Sequence, residues 1–177
     1  MRMRHLAAAL AGALALTAAL STTATPAAAA APAGESFLAA HGINPATLAP
    51  GWKVDGQRVV WDNGSVILSP AVYGLSACDP GYVCLYETDN YNTGPYDHNK
   101  RMLQFNTIGY RNMYTYGFND QMSSWYNRRG LDARWYYDDN KGGTSRCMGA
   151  GAKVAVVGAA DNDKLSSLLI YSTSTAC

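Results

Sequence analysis

Two short stretches of this 177-residue chain carry the same residue types in the same order, Asn119-Asp120-Gln121-Met122-Ser123-Ser124 and Asn162-Asp163-Lys164-Leu165-Ser166-Ser167. Their carboxylate, amide and hydroxyl oxygens are the hard donors that a hard cation such as calcium gathers, about six to eight at a time. The same residue types also pin turns through hydrogen bonds to nearby backbone, so a single copy would say little. What precedes each copy says more. Tyr86-Glu87-Thr88-Asp89-Asn90-Tyr91-Asn92-Thr93-Gly94 begins thirty-three residues before Asn119, and Tyr136-Tyr137-Asp138-Asp139-Asn140-Lys141-Gly142-Gly143 begins twenty-six before Asn162. The order is the same twice: aromatic strand, Gly-bearing hairpin, further strands, then Asn-Asp-x-x-Ser-Ser. Such an internal repeat is the mark of a duplicated structural unit.

Other chemistry is poorly provided for, and the expectation is that the chain is not an enzyme. Beyond His5 the chain has only His41 and His98, with neither a His-Glu-x-x-His nor a Gly-x-Ser-x-Gly pattern. Gly149-Ala150-Gly151-Ala152 precedes an apolar run instead of following one, which suits a turn and not a nucleotide loop. Asp138-Asp139-Asn140-Lys141-Gly142 fails the EF-hand spacing. His98 lies in a polar loop, residues 95–101, and reads as solvated.

The elements that must position the paired stretches are strands. Twelve Tyr, four Trp and seventeen Gly, with no long helical period after residue 31, describe a turn-rich all-β domain. Alternation puts Tyr82, Cys84 and Tyr86 on one strand face and Val83 and Leu85 on the other. Val154, Val156 and Val157 read as a buried strand, as do residues 168–171. Of Tyr110, Tyr114, Tyr116, Trp125, Tyr126, Trp135, Tyr136 and Tyr137, most are expected in the core, the remainder being available to line a glycan-binding face.

Residues 1–31 follow a different pattern. Arg2, Arg4 and His5 precede an uncharged Leu/Ala stretch and then an Ala-rich tract, the layout of a secretory signal peptide and too short to span a bilayer comfortably. The expected mature protein is secreted and soluble, with no membrane partner. Its removal takes two of fourteen Lys/Arg and none of thirteen Asp/Glu, so net charge moves from +1 to 12 − 13 = −1. That charge lacks the basic footprint of a nucleic-acid binder. Residues 32–77 read as an extension: a short helix at 36–40, then turns near 54–57 and 61–65 that set up a three-strand meander. It either packs on the main domain or is a pro-segment. Cys78, Cys84, Cys147 and Cys177 form an even set in an oxidising compartment, which favours two disulfides. Cys78 with Cys84 would close a short turn, leaving Cys147 with Cys177, among three possible connectivities.

On the paired hairpins and Asn-Asp-x-x-Ser-Ser stretches, the chain resembles the βγ-crystallin superfamily. The wider frame of Cys78-Asp79-Pro80-Gly81-Tyr82-Val83-Cys84-Leu85-Tyr86, Met102-Leu103-Gln104-Phe105 and Tyr116-Gly117-Phe118-Asn119-Asp120 is similar to its secreted actinobacterial branch, a peptidase inhibitor family named for a metalloproteinase inhibitor. Two departures stand out: one extra residue before Gly94, and Lys141 where an aromatic is usual. The resemblance implies an all-β, βγ-crystallin-like sandwich of two Greek-key motifs over residues 78–177. It implies calcium, with Asp120, Asp163, Ser123 and Ser166 as side-chain ligands and Gln121 and Lys164 giving backbone carbonyls. Asn119 and Asn162 open the two motifs, and the loops cross, each site borrowing from the other. Few charges per site imply a Kd of about 10⁻⁶ to 10⁻³ M. The implied activity is inhibition of an extracellular metalloproteinase by a monomer. The alternatives are a cell-wall or glycan-binding module, antimicrobial in effect, and a structural calcium protein. For the inhibitory loop, Met148 beside Cys147 is apolar and cystine-anchored, whereas residues 92–101 form a long but polar loop.

Overall fold

The computed structural model describes residues 33–95 and 99–177. The signal-peptide assignment and His98 lie outside these residues. The described residues form eleven short strands: β1 (Lys53–Asp55), β2 (Arg58–Trp61), β3 (Val66–Ser69), β4 (Val83–Tyr86), β5 (Met102–Phe105), β6 (Gly109–Asn112), β7 (Ser124–Asn127), β8 (Ala133–Tyr136), β9 (Ser145–Met148), β10 (Lys153–Val154) and β11 (Ser167–Ile170). They form two antiparallel sheets, ordered β1-β2-β3-β5-β4-β7-β10 and β6-β11-β8-β9.

The order shows how the repeat becomes a fold. Strands β4 to β7 make one Greek key and β8 to β11 the other, and each key gives its third strand to the other sheet: β6 pairs with β11, and β10 with β7. The two keys are matched in detail. Tyr86 and Tyr136 carbonyls accept from Ser123 and Ser166 N–H, both at 3.0 Å. The Ser124 and Ser167 hydroxyls donate to Thr88 and Asp138 carbonyls at 2.6 and 2.7 Å. They accept in turn from Tyr91 and Lys141 N–H at 3.1 and 3.2 Å. The fold is therefore the two-Greek-key sandwich expected from the repeat. Lys141 substitutes for an aromatic without disturbing the hairpin, because it takes the left-handed backbone of Tyr91, φ +64 against +56.

Alternation in β4 follows its pattern with a consequence. Val83 and Leu85 enter the main core, while Cys84 and Tyr86 join a second cluster with Cys78 and Met102, flanked by Tyr82. Both faces of β4 are buried. Disulfides join Cys78 to Cys84 and Cys147 to Cys177, each with a Cα separation of 5.8 Å, and no described cysteine is free.

Residues 53–69 form the three-strand meander, preceded by a helix α1 (Ala33–Ala40). Strand β3 pairs along the whole of β5, Val66 with Phe105 through Ser69 with Met102. Leu38, Ile43, Leu48, Val59, Trp61, Val66 and Leu68 belong to the same core cluster as Leu85, Phe118 and Trp135. Trp61 Nε1 donates to the Ala49 carbonyl at 2.9 Å, and its ring meets Tyr116 edge-on at 5.3 Å.

Two expectations are corrected. Val154, Val156 and Val157 do not form a buried strand: β10 ends at Val154, and Val156 is 56% exposed. Met148 is fully buried and cannot be offered to a cleft. Its register explains this. It pairs with Ala133 in β8–β9 as Phe105 pairs with Val83 in β4–β5, so it fills the matching core position of the second key.

The C-terminal tail is held by a buried carboxylate. Asp132 Oδ1 accepts from Ala150 N–H and Oδ2 from Cys177 N–H, both at 2.9 Å. The Cys177 N–H, with those of Ala150 and Ala176, keeps the carboxyl below its ordinary value of 3.8 against the opposing effect of burial. A depressed carboxyl pKa stabilises the fold above that ordinary value, and the contribution disappears as pH falls through the folded-state pKa. We therefore expect Asp132→Asn to lower Tm at pH 7, with the gap from wild type narrowing as the pH drops below about 4. Paired thermal melts across pH 2–7 check this, and a gap independent of pH would assign the loss to packing alone.

Candidate functional site

The two Asn-Asp-x-x-Ser-Ser loops lie side by side at one end of the sandwich. Asp120 N–H donates to the Leu165 carbonyl at 2.9 Å and Asp163 N–H to the Met122 carbonyl at 3.2 Å, so each loop is tied to the other. Asp120 and Asp163 both adopt left-handed backbone, φ +52 and +54, which turns the chain sharply there. Asn119 and Asn162 steer these carboxylates, each donating through Nδ2 to the next residue's Oδ2 at 2.7 Å. The loops also cross at the side-chain level: Ser166 Oγ of the second donates to Asp120 Oδ1 of the first at 3.3 Å. Ser123 Oγ, in the first, donates to the Glu87 carbonyl at 2.9 Å.

A cleft of about 460 Å³ opens over this arrangement, walled by Glu87, Thr88, Asp89, Asp120, Gln121 and Ser123 from the first key and by Val156, Gly158, Asn162 and Asp163 from the second. Asp120, Asp163 and Lys164 are exposed, whereas Ser123 and Ser166 are buried. Lys164 therefore offers its side chain to solvent. Glu87 is neutralised. Its carboxylate pairs with Arg101 at 2.8 Å, and Arg101 also bonds Gln121 Oε1 and, at 3.2 Å, the Gly117 carbonyl.

Two buried oxygens at this end have no hydrogen-bond partner, Asp89 Oδ1 and Asn119 Oδ1. In the second key the residue matching Asp89 is Asp139, and both its oxygens are engaged, by Tyr110 OH and by Asn112 Nδ2. Among the described residues no group of three His, Cys, Asp or Glu side chains is placed to hold a metal. Any cation here must therefore be held by a mixed set of carboxylate, hydroxyl and carbonyl oxygens. The residues fit that requirement for a hard ion: a carboxylate touching a hydroxyl from the opposite loop, the Glu87 backbone carbonyl against the Ser123 hydroxyl, and an orphaned carboxylate oxygen in the same wall. Glu87, Thr88 and Asp89 were not singled out from the sequence as cation-site residues. The signal for them was present in the hairpin repeat, which places them after Tyr86.

Residues 71–148 match the family model described as peptidase inhibitor family I36. A double mutant of a βγ-crystallin domain from Clostridium beijerinckii is 30% identical, with 98% of that domain and 52% of this chain covered, at a TM-score of 0.42. The chain belongs to the βγ-crystallin superfamily. A βγ-crystallin domain from Flavobacterium johnsoniae is 27% identical over 97% of its length and 54% of this chain, at a TM-score of 0.41. No curated protein matches the chain significantly. In this βγ-crystallin the match to the inhibitor-family model runs from the end of the extension through β9.

Proposed function

We propose that this βγ-crystallin is a secreted inhibitor of an extracellular metalloproteinase and that its paired loops bind calcium. The match of residues 71–148 to a peptidase inhibitor family carries the inhibitor reading. The scaffold suits it: two disulfides and a sandwich of interlocked keys hold surface loops in place, and a preordered loop loses less entropy on binding. Export is supported by the signal-peptide pattern and by the pairing of all four cysteines. No helix among the described residues is long and apolar enough to cross a membrane.

Calcium would be held by Asp120 and Ser166 on one side of the crossing and by Asp163 and Ser123 on the other, with Gln121 and Lys164 contributing carbonyls. The ion would supply positive charge between two carboxylate-bearing loops, fixing them together. A glycan-binding face gains no comparable support. Of the eight aromatics considered for it, only Tyr114 is a large exposed side chain, and Trp125 and Trp135 are buried in the core.

The test is an inhibition panel at fixed calcium, using the secreted form against thermolysin-like, serine and cysteine peptidases. The expected result is tight inhibition of the thermolysin-like enzyme, with a Ki of about 10⁻⁹ to 10⁻⁶ M, within the range of standard-sized protein–protein interfaces, and none of the serine enzymes. Failure against every enzyme at about 100 µM, far outside that range, overturns the inhibitor reading. Selective inhibition of a serine peptidase overturns the target class.

A further inference from the structure

The large exposed apolar side chains of the described residues are Tyr73, Ile108, Tyr114 and Val156. Tyr73 lies beneath the Lys100 ammonium, 5.1 Å from the ring centre. Val156 has a different setting. It belongs to the run Ala155-Val156-Val157-Gly158-Ala159-Ala160, six residues without a charge. This run continues β10, the outermost strand of the larger sheet, past the last residue that pairs with β7.

The backbone is fixed on both sides of the exposed side chain. The Ala155 carbonyl accepts from Asn90 N–H at 2.7 Å, and Val157 N–H donates to the Ser123 carbonyl at 3.0 Å. Val154 and Val157 pack against the main core. The chain then turns at Gly158, φ +88, whose carbonyl accepts from Asp161 and Asn162 N–H at 3.0 and 2.9 Å. A β-branched side chain is thus held out from a backbone that cannot retreat.

A peptidase cleft takes its peptide as an added strand, with main-chain pairing for affinity and a side-chain pocket for selectivity. The outer edge at β10 supplies the first, and Val156 supplies an apolar group for the second. Anchors on both flanks keep the segment in place before binding, which lowers the ordering cost. We propose that residues 155–158 are the segment that enters the peptidase cleft and that Val156 fills an apolar specificity pocket. This rests on the inhibitor reading above, and it puts the contact just beyond the stretch that matches the inhibitor family, in place of the buried Met148.

Wild type, Val156→Asp, Val156→Leu and Ile108→Asp are compared for inhibition of a thermolysin-like metalloproteinase, with thermal melts run on each. Val156→Asp should raise Ki about thirtyfold or more, the scale of losing an anchor residue, at an unchanged Tm in calcium-free buffer. Val156→Leu keeps an apolar side chain and should stay within about tenfold, the low end of what one methylene is worth in an apolar pocket. Ile108→Asp, exposed elsewhere, should behave as wild type. If wild type inhibits and Val156→Asp inhibits equally well, the loop assignment is wrong while the inhibitor reading stands. If wild type inhibits none of the panel, both fall.

Discussion

A chain beginning at Cys78 is expected to lose its cooperative fold. Residues 33–77 supply Leu38, Ile43, Leu48, Val59, Trp61, Val66 and Leu68 to the main core, every one of them less than a tenth exposed. Burying a large apolar side chain stabilises by about 1.5–3 kcal/mol. Even discounted for partial burial in the unfolded chain, the seven together contribute on the order of 10 kcal/mol. A domain of this size is stable by only about 5–15 kcal/mol in total. The cut would also strip β3 from β5 and leave an apolar edge open to pairing with other chains. Residues 33–177 and 78–177, both produced with disulfides formed, should be compared by near-ultraviolet circular dichroism and urea unfolding. The longer chain should unfold in one sharp transition and the shorter should show none. An equal midpoint for the two would mean that the extension is a detachable cover and would restore the pro-segment alternative.

The second large effect concerns calcium. An ion bound only by the native state stabilises it by RT ln(1 + [L]/Kd), about 2.7 kcal/mol at a hundredfold excess over Kd. For a domain of about 150 residues this corresponds to a rise in Tm of about 5–10 °C. Asp120→Ala and Asp163→Ala should each reduce the rise and weaken both sites, because Asp120 touches Ser166 across the crossing and each loop's backbone is bonded to the other. Isothermal titration gives the two site affinities directly. A Tm unmoved by about 10 mM calcium, above the weakest range for extracellular modules, would remove calcium from the proposal. Unchanged titrations in one variant would remove that site alone.

The paired loops and the keys were legible in the sequence because each position carries a local constraint. Asp120 and Asp163 sit where the backbone must turn left-handed, Ser124 and Ser167 where a hydroxyl must reach a hairpin carbonyl, and both demands recur at the same place in the repeat. Met148 and Val156 were misread for the opposite reason. Their exposure is decided by register against distant strands, and a valine in an apolar run looks the same whether its strand pairs onward or stops at Val154. The attachment of the extension was left open because nothing within residues 32–77 says that β5 has a free edge. Asp89 was missed as a wall of the cleft because its role appears only when its unpartnered oxygen is set beside the fully engaged Asp139.

The exchange of third strands between the keys also governs the order in which the molecule can form. Among the described residues strand β6 pairs only with β11, so Asn112 waits for Ser167, fifty-five residues further along the chain. Strand β7 completes its pairing with β10 only after most of the second key has been made. Each key pairs three of its strands internally, but neither can complete its pairing alone, because its third strand finds a partner in the other key. Closure of loops this long must precede the contacts that reward it, which places folding in the slow, milliseconds-to-seconds regime of nonlocal β topologies. A nascent chain still missing its last ten residues would have both motifs of the cation site but not the strand β11 that joins β6 to β8 beneath them.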